Sequence, residues 1–129
     1  MSEQEHQIFE RQARERLAEL WNIPFPSRPT PVRLRTGAEK AFDLVSPDGT
    51  IVGDIKWFAH SNDPGAKIDT VGFYVWLLKE IPNTEKVFLV FNQNAKEAVE
   101  RDFLRRFRQL VSPVEFYYFD ETLMALYKF

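Results

Sequence analysis

The chain has 129 residues, of which 44% are hydrophobic, and these values are typical of one domain with one sizeable core. A formal net charge of −2 excludes the global basic excess that marks many nucleic-acid-binding proteins, so any contact with phosphates has to be local. The absence of cysteine excludes disulfides, thiolate metal sites and cysteine nucleophiles.

No apolar run approaches the roughly 18 residues needed to cross a bilayer. The stretch from Met1 to Arg16 is polar and charged, unlike a signal peptide. We therefore expect residues 1–129 to form a single domain of a soluble, cytoplasmic protein with no membrane partner.

The first predicted elements are a helix and a proline-rich linker. Apolar residues recur at helical spacing from Glu3 to Trp21, and Ile23-Pro24 ends the pattern, so the N-terminal helix is placed within residues 1–23. Residues 24–31 hold four of the eight prolines and are expected to form an extended linker within the domain. Residues 32–35 can form a short strand.

A β-hairpin is predicted next. Residues 40–46 and 50–58 are rich in β-branched and aromatic side chains, and Pro47-Asp48-Gly49 between them is a tight-turn signal. A two-residue loop would place Asp43 opposite Asp54, whereas a three-residue loop would place Asp43 opposite Gly53 unless a bulge restores the register. Gly53 itself indicates close packing of the first helix, a bulge or plain strand irregularity.

The remaining elements alternate between helix and strand. Asp63 and Pro64 are suited to begin a helix that ends at Pro82, and the apolar run of residues 87–91 is typical of a strand buried on both faces. A helix from about Asn94 to about Leu110 and a strand at residues 114–119 follow, and Asp120 is suited to cap a final short helix. The predicted fold class is α/β, with a mixed central β-sheet flanked by helices.

The candidate chemistry lies on the hairpin. Side chains alternate along residues 50–58, so Asp54 and Lys56 share one face, and the two-residue loop would add Asp43. Two close carboxylates repel each other, and Mg²⁺ or Mn²⁺ would resolve that conflict, since hard oxygen ligands suit these ions. Lys56 could hold or deprotonate an attacking water, and phosphodiester hydrolysis fits this set. The alternative is an exposed cross-strand ion-pair cluster.

The segment Phe42-Asp43-Leu44-Val45, a turn, and then residues 51–56 (Ile-Val-Gly-Asp-Ile-Lys) resembles the core motif of the PD-(D/E)xK nuclease superfamily. The resemblance implies a restriction-endonuclease-like αβββαβ core, here with an added C-terminal helix-strand-helix. It also implies that Asp43, Asp54 and the backbone carbonyl of Ile55 bind the metal and that Lys56 assists the water. Phe42 departs from the motif, because a proline is expected at that position.

Many members of this superfamily place a helix glutamate beside the metal, and Glu10 lies nearest the buried face of the first helix. The alternative for Glu10 is an ion pair with Arg14, and Glu39 is a competing fourth carboxylate. Lys67 and His60 are candidate substrate-binding residues, although a solvated lysine and a solvated loop histidine are the simpler interpretations.

Three hypotheses about function follow from these patterns. The first is metal-dependent hydrolysis of nucleic acid, with DNA as the expected substrate and partner. The second is a catalytically silent domain of the same fold that binds nucleic acid or protein, in one version as a homodimer through its aromatic surface. The third is a component of a larger defence or repair assembly.

Overall fold

The protein is described by a computed structural model that covers residues 2–59 and 64–129, with side chains from residue 5 to 59 and from 68 to 129. It contains both helices and strands. In chain order they are α1 (Ser2–Trp21), β1 (Thr30–Arg33), β2 (Glu39–Phe42), β3 (Leu44–Val45), β4 (Ile51–Lys56), α2 (Pro64–Lys79), β5 (Lys86–Phe91), α3 (Gln93–Glu97), a π-helical segment (Ala98–Leu104), α4 (Arg105–Val111), β6 (Val114–Asp120) and β7 (Ala125–Lys128).

A mixed five-stranded sheet organises the fold, in the order β3-β4-β5-β6-β7. The three central strands β4, β5 and β6 run parallel, whereas β3 and β7 lie antiparallel at the two edges. A separate two-stranded sheet pairs β1 with β2. The chain therefore has the predicted α/β class with a mixed sheet.

Helices cover both faces of the large sheet, and each face carries its own apolar cluster. On one face Phe9, Ala13 and Leu17 of α1 pack with strand residues that include Ile55 and Phe88. On the other face, α2, the π-helical segment and α4 pack against the alternate strand residues, among them Val52, Leu89 and Phe91. Because strand side chains alternate between faces, residues 52, 54 and 56 of β4 point toward α2.

The predicted first hairpin strand, residues 40–46, is broken at Asp43. Its first half, β2, pairs with β1, and its second half, β3, pairs with β4. At the break, the backbone N–H of Asp43 donates a hydrogen bond to the side chain of Asp54. A single strand over residues 40–46 was therefore the wrong prediction.

The final helix predicted after Asp120 is also wrong. Asp120 does accept hydrogen bonds from the backbone N–H groups of Thr122 and Leu123, as a capping residue would. Met124 then adopts a positive φ of 51°, and the chain returns as β7 antiparallel to β6. The C-terminal part is thus helix-strand-strand rather than helix-strand-helix.

Gly53 lies under the ring of Phe88, its partner in the neighbouring strand β5. A Cβ atom at position 53 would lie 2.4 Å from the Phe88 ring, well inside contact distance. The ring is fully buried, and Trp21 of α1 packs edge-on against it at 4.9 Å between centroids. The glycine thus allows close packing on the α1 face, directly beside Asp54.

Candidate functional site: the carboxylate and lysine cluster of the hairpin

The turn of the hairpin is fixed by Asp48. Its Oδ1 accepts hydrogen bonds from the Ser46 hydroxyl at 2.7 Å, the Thr50 hydroxyl at 2.8 Å and the Thr50 backbone N–H at 3.0 Å. These hydrogen bonds, that from Ser46 first, hold the pKa of Asp48 below its ordinary value. Gly49, with φ of 76°, closes the turn by donating its N–H to the Ser46 carbonyl.

This turn sets the register that brings the two candidate carboxylates together. Leu44 pairs with Gly53 and Val45 with Val52, which is the register expected for a two-residue loop. Extending it by one position places Asp43 opposite Asp54. The three-residue alternative, with Asp43 opposite Gly53, is not the observed arrangement.

Each of the two carboxylates accepts a backbone hydrogen bond from the opposite strand. Asp54 Oδ1 accepts from the N–H of Asp43 at 2.8 Å, and Asp43 Oδ2 accepts from the N–H of Ile55 at 3.0 Å. The N–H and C=O of one strand residue point to the same side of the strand, so the Ile55 carbonyl also faces the Asp43 side. The three predicted metal ligands, the carboxylates of Asp43 and Asp54 and the carbonyl of Ile55, therefore lie close together on one stretch of the hairpin.

Lys56 completes the cluster from the same face of β4. Its Nζ lies 2.7 Å from Asp54 Oδ2 and 3.2 Å from the centre of the Tyr74 ring on α2. The Lys56 side chain is only 15% exposed and that of Asp54 only 5%. The ammonium group is thus held between a carboxylate and an aromatic face, a combination that favours its charged form.

The electrostatics of the cluster are dominated by burial. Burial raises the pKa of Asp54 to about 7; the negative charge of Asp43 adds to this rise, and the positive charge of Lys56 opposes it. Burial works to lower the pKa of Lys56, but Asp54 and then Tyr74 together raise it above its ordinary value. Lys56 is therefore a persistent cation, suited to donating hydrogen bonds and stabilising negative charge rather than to accepting a proton.

The structure does not bring the predicted helix carboxylate to this cluster. Glu10 pairs with His6 at 2.7 Å, rather than with Arg14, and the His6 ring stacks on Trp57 at 5.6 Å between centroids. The helix that carries Glu10, α1, lies on the sheet face opposite to Asp54 and Lys56. Glu39, the competing carboxylate, is exposed on β2, where its Cα pairs with that of Arg33.

Two further candidates lie outside what the structure describes. His60 falls in the gap between residues 59 and 64, and Lys67 belongs to the first turn of α2, where side chains are not described. Within the described parts of the chain, no group of three or more histidine, aspartate or glutamate side chains is arranged to hold a metal ion. A metal ion at this cluster would therefore be coordinated by two carboxylates, a backbone carbonyl, water and substrate oxygens.

Sequence reasoning missed two residues that shape the site. Tyr74 was not among the predicted site residues, yet its ring packs against the ammonium of Lys56 and its centre lies 5.5 Å from the Nζ of Lys40. Asn92, at the carboxyl end of β5, accepts from the N–H of Phe58 at 2.9 Å and donates to its carbonyl at 2.8 Å. Asn92 thereby anchors the chain directly after β4, two residues beyond Lys56. Nothing local in the sequence indicates this role, because the burial of Asn92, at 3% exposure, is a result of the tertiary structure.

Among residues 2–59 and 64–129, no helix combines the length and apolar character required to cross a membrane. Comparison of the chain with protein-family models, with curated proteins and with solved structures gave no match. What can be said of its function therefore depends on the geometry of the cluster formed by Asp43, Asp54 and Lys56.

Proposed function

We propose that the protein is a metal-dependent nuclease that hydrolyses phosphodiester bonds, with DNA as its substrate. The observation that carries the proposal is the convergence of Asp43, Asp54 and Lys56 in the hairpin register expected for a two-residue loop. The likeness of residues 42–56 to the PD-(D/E)xK motif supports the same reaction, as does the fold class, in which a restriction-endonuclease-like core is one arrangement.

The donor set fits a hard divalent cation. Asp43 and Asp54 supply carboxylate oxygens and Ile55 a carbonyl oxygen, the ligand types that Mg²⁺ and Mn²⁺ prefer. Burial and Asp43 both disfavour the charged form of Asp54, and a bound cation would offset that cost. When bound, the cation would supply Lewis-acid polarisation of a phosphoryl oxygen and lower the pKa of a bound water.

The side chains of the site would position the ligand oxygens and the attacking water. Asp43 and Asp54 are held by hydrogen bonds from the opposite strand, so their oxygens are positioned before substrate arrives. Lys56, fixed by Asp54 and Tyr74, would orient the attacking water and donate a hydrogen bond to the oxygen on which negative charge develops. Its raised pKa favours this donor role over that of a general base.

A second candidate function is a catalytically silent binding domain, and one observation favours it. Both oxygens of the Asp54 carboxylate already have protein partners, the N–H of Asp43 and the ammonium of Lys56. Such a satisfied, buried pair can be structural without any cation. Stabilisation by divalent metal separates the two functions, because a silent domain gains nothing from Mg²⁺ or Mn²⁺.

The test of the nuclease proposal is cleavage of labelled single-stranded, duplex and branched DNA in Mg²⁺ or Mn²⁺. The wild type is compared with Asp54→Asn and Lys56→Ala, and with Glu15→Gln, an exposed carboxylate of α1, as the matched control. We expect cleavage to fall by a factor of about 100 or more in both site variants and to be unchanged in the control. Undiminished metal-dependent cleavage by Asp54→Asn would refute the assignment.

A further inference from the structure

The helix α2 is apolar on both of its sides. Its inner side buries Val71, Val75 and Leu78 against the sheet. Its outer side carries Phe73 and Trp76, each 52% exposed, with their rings stacked at 6.3 Å between centroids. A helix that is apolar all round is usually covered on both sides, and an exposed aromatic patch is a frequent mark of a protein interface.

The outer side of α2 also has a regular arrangement of charge. Asp69 lies four residues before Phe73, and Lys79 lies three residues after Trp76, and all four are exposed. At 100° per residue these four side chains and Gly72 share one side of the helix. We call this set, Asp69, Gly72, Phe73, Trp76 and Lys79, the outer stripe.

The outer stripe is complementary to itself when it is reversed. In two antiparallel copies of α2 related by a two-fold axis near residue 74, Asp69 of each copy lies opposite Lys79 of the other. Phe73 lies opposite Trp76 in the same arrangement, and Trp76 also faces the space left by Gly72. An interface between identical subunits related by a two-fold axis requires this kind of self-complementarity.

A groove beside α2 gives the aromatic side chains of a second copy a place to bind. It has a volume of about 420 Å³ and lies between α2 and α4, with Phe107 and Leu110 on its far wall. Leu110 is 64% exposed and extends the apolar surface beyond the outer stripe. Lys79 donates one hydrogen bond to the Leu110 carbonyl at 2.9 Å, and a lysine ammonium has two further protons for a carboxylate.

We propose that two copies of this chain form a dimer through antiparallel packing of their α2 helices along the outer stripe. The occupant is a second copy, because the reversed charges of Asp69 and Lys79 match each other across the two-fold axis. The proposal is independent of catalysis. Tyr74, which contacts Lys56, belongs to the same helix. In the dimer, the cluster of Asp43, Asp54 and Lys56 in each copy would therefore lie beside the paired α2 helices.

Sedimentation equilibrium of the full chain, from sub-micromolar to several hundred micromolar, tests the proposal. The variants are Asp69→Lys, Lys79→Asp, the double variant Asp69→Lys/Lys79→Asp, and Trp76→Ser. Glu15→Lys makes the same charge change as Asp69→Lys on the opposite side of the sheet and serves as the control. Circular dichroism melting identifies any variant that fails to fold.

We expect a wild-type dimer whose dissociation constant rises about tenfold in each single charge variant, since symmetry places two such pairs in one interface. Trp76→Ser should weaken the dimer further, and the double variant should return to within about threefold of the wild type, because it reverses both ends of the stripe. A monomeric wild type, a dimer unaffected by Trp76→Ser, or a double variant weaker than both single variants would each overturn the proposal.

Discussion

The backbone N–H of Asp43 donates a 2.8 Å hydrogen bond to Oδ1 of Asp54, its partner across the hairpin. This hydrogen bond links the backbone of one candidate ligand to the side chain of the other. It also places the Asp54 carboxylate beside a second acid in a position that is only 3% exposed. The ionisation of Asp54 is consequently tied to both the fold and the proposed chemistry.

The first prediction concerns the pH dependence of stability in metal-free protein. Burial and the charge of Asp43 raise the pKa of Asp54 from 3.8 to about 7. Between about pH 4 and pH 7 the unfolded chain loses this proton while the folded chain keeps it, so the stability contributed by Asp54 falls as pH rises. Above about pH 7 the contribution is constant.

The variant Asp54→Asn isolates this effect. The free energy of unfolding of the wild type minus that of the variant should decline by up to about 4 kcal/mol across this pH window. Denaturant unfolding in the presence of a chelator, at several pH values, measures the difference. A difference that is flat or rises with pH would show that Asp54 does not keep its proton in the folded state.

The second prediction concerns the aromatic support of Lys56. Tyr74→Leu removes the ring that lies 3.2 Å from the ammonium and should lower the free energy of unfolding by about 1–2 kcal/mol. Tyr74→Phe keeps the aromatic face and should lose much less. Equal destabilisation by the two substitutions, measured by chemical denaturation, would assign the stabilising effect to the hydroxyl group instead of the ring.

The third prediction tests the contact between Gly53 and Phe88. Gly53→Ala introduces a Cβ atom 2.4 Å from a fully buried ring and should cost about 1–3 kcal/mol, because the surrounding packing cannot accommodate it. In the background Phe88→Leu the same glycine substitution should cost substantially less. A double-mutant cycle with additive effects would contradict this explanation of the glycine.

The fourth prediction concerns the side-chain amide that holds the end of β4. Asn92→Ala removes two hydrogen bonds to the backbone of Phe58 and should lower the free energy of unfolding by about 1–3 kcal/mol. Amide hydrogen exchange should also accelerate at Phe58. Asn94→Ala, at an exposed position on the following helix, is the matched control, and a similarly small effect of both substitutions would exclude the anchoring role.

The local geometry of the site could be predicted from the sequence because it depends on short-range rules. The alternation of β4 is enough to place Asp54 and Lys56 on one face. The register that adds Asp43 was one of two alternatives that the turn residues left open, and the structure decides between them. The C-terminal strand could not be predicted, since Asp120 makes the capping contacts of a helix start while pairing with β6 decides the outcome. Nothing local indicates that residues 39–42 leave the hairpin to pair with β1.

The surroundings of the site depend on contacts between residues distant in sequence. Tyr74 reaches Lys56 only because α2 crosses the same face of the sheet, and Asn92 reaches Phe58 only because β4 and β5 are parallel neighbours. Glu10 is half-buried, as its position nearest the apolar side of α1 predicts, but α1 covers the face opposite to Asp54. Periodicity identifies the buried side of a helix and not the sheet face that the helix covers.

The most direct test of the central claim, that Asp43 and Asp54 together hold a divalent cation, is a titration with Mn²⁺ followed by electron paramagnetic resonance. The wild type should bind Mn²⁺ at about pH 8 and more weakly below about pH 7, where Asp54 gains its proton. Asp43→Asn and Asp54→Asn should each lose most of this binding, and Glu15→Gln should keep it. Absence of binding by the wild type, or equal binding by all four proteins, would contradict the claim.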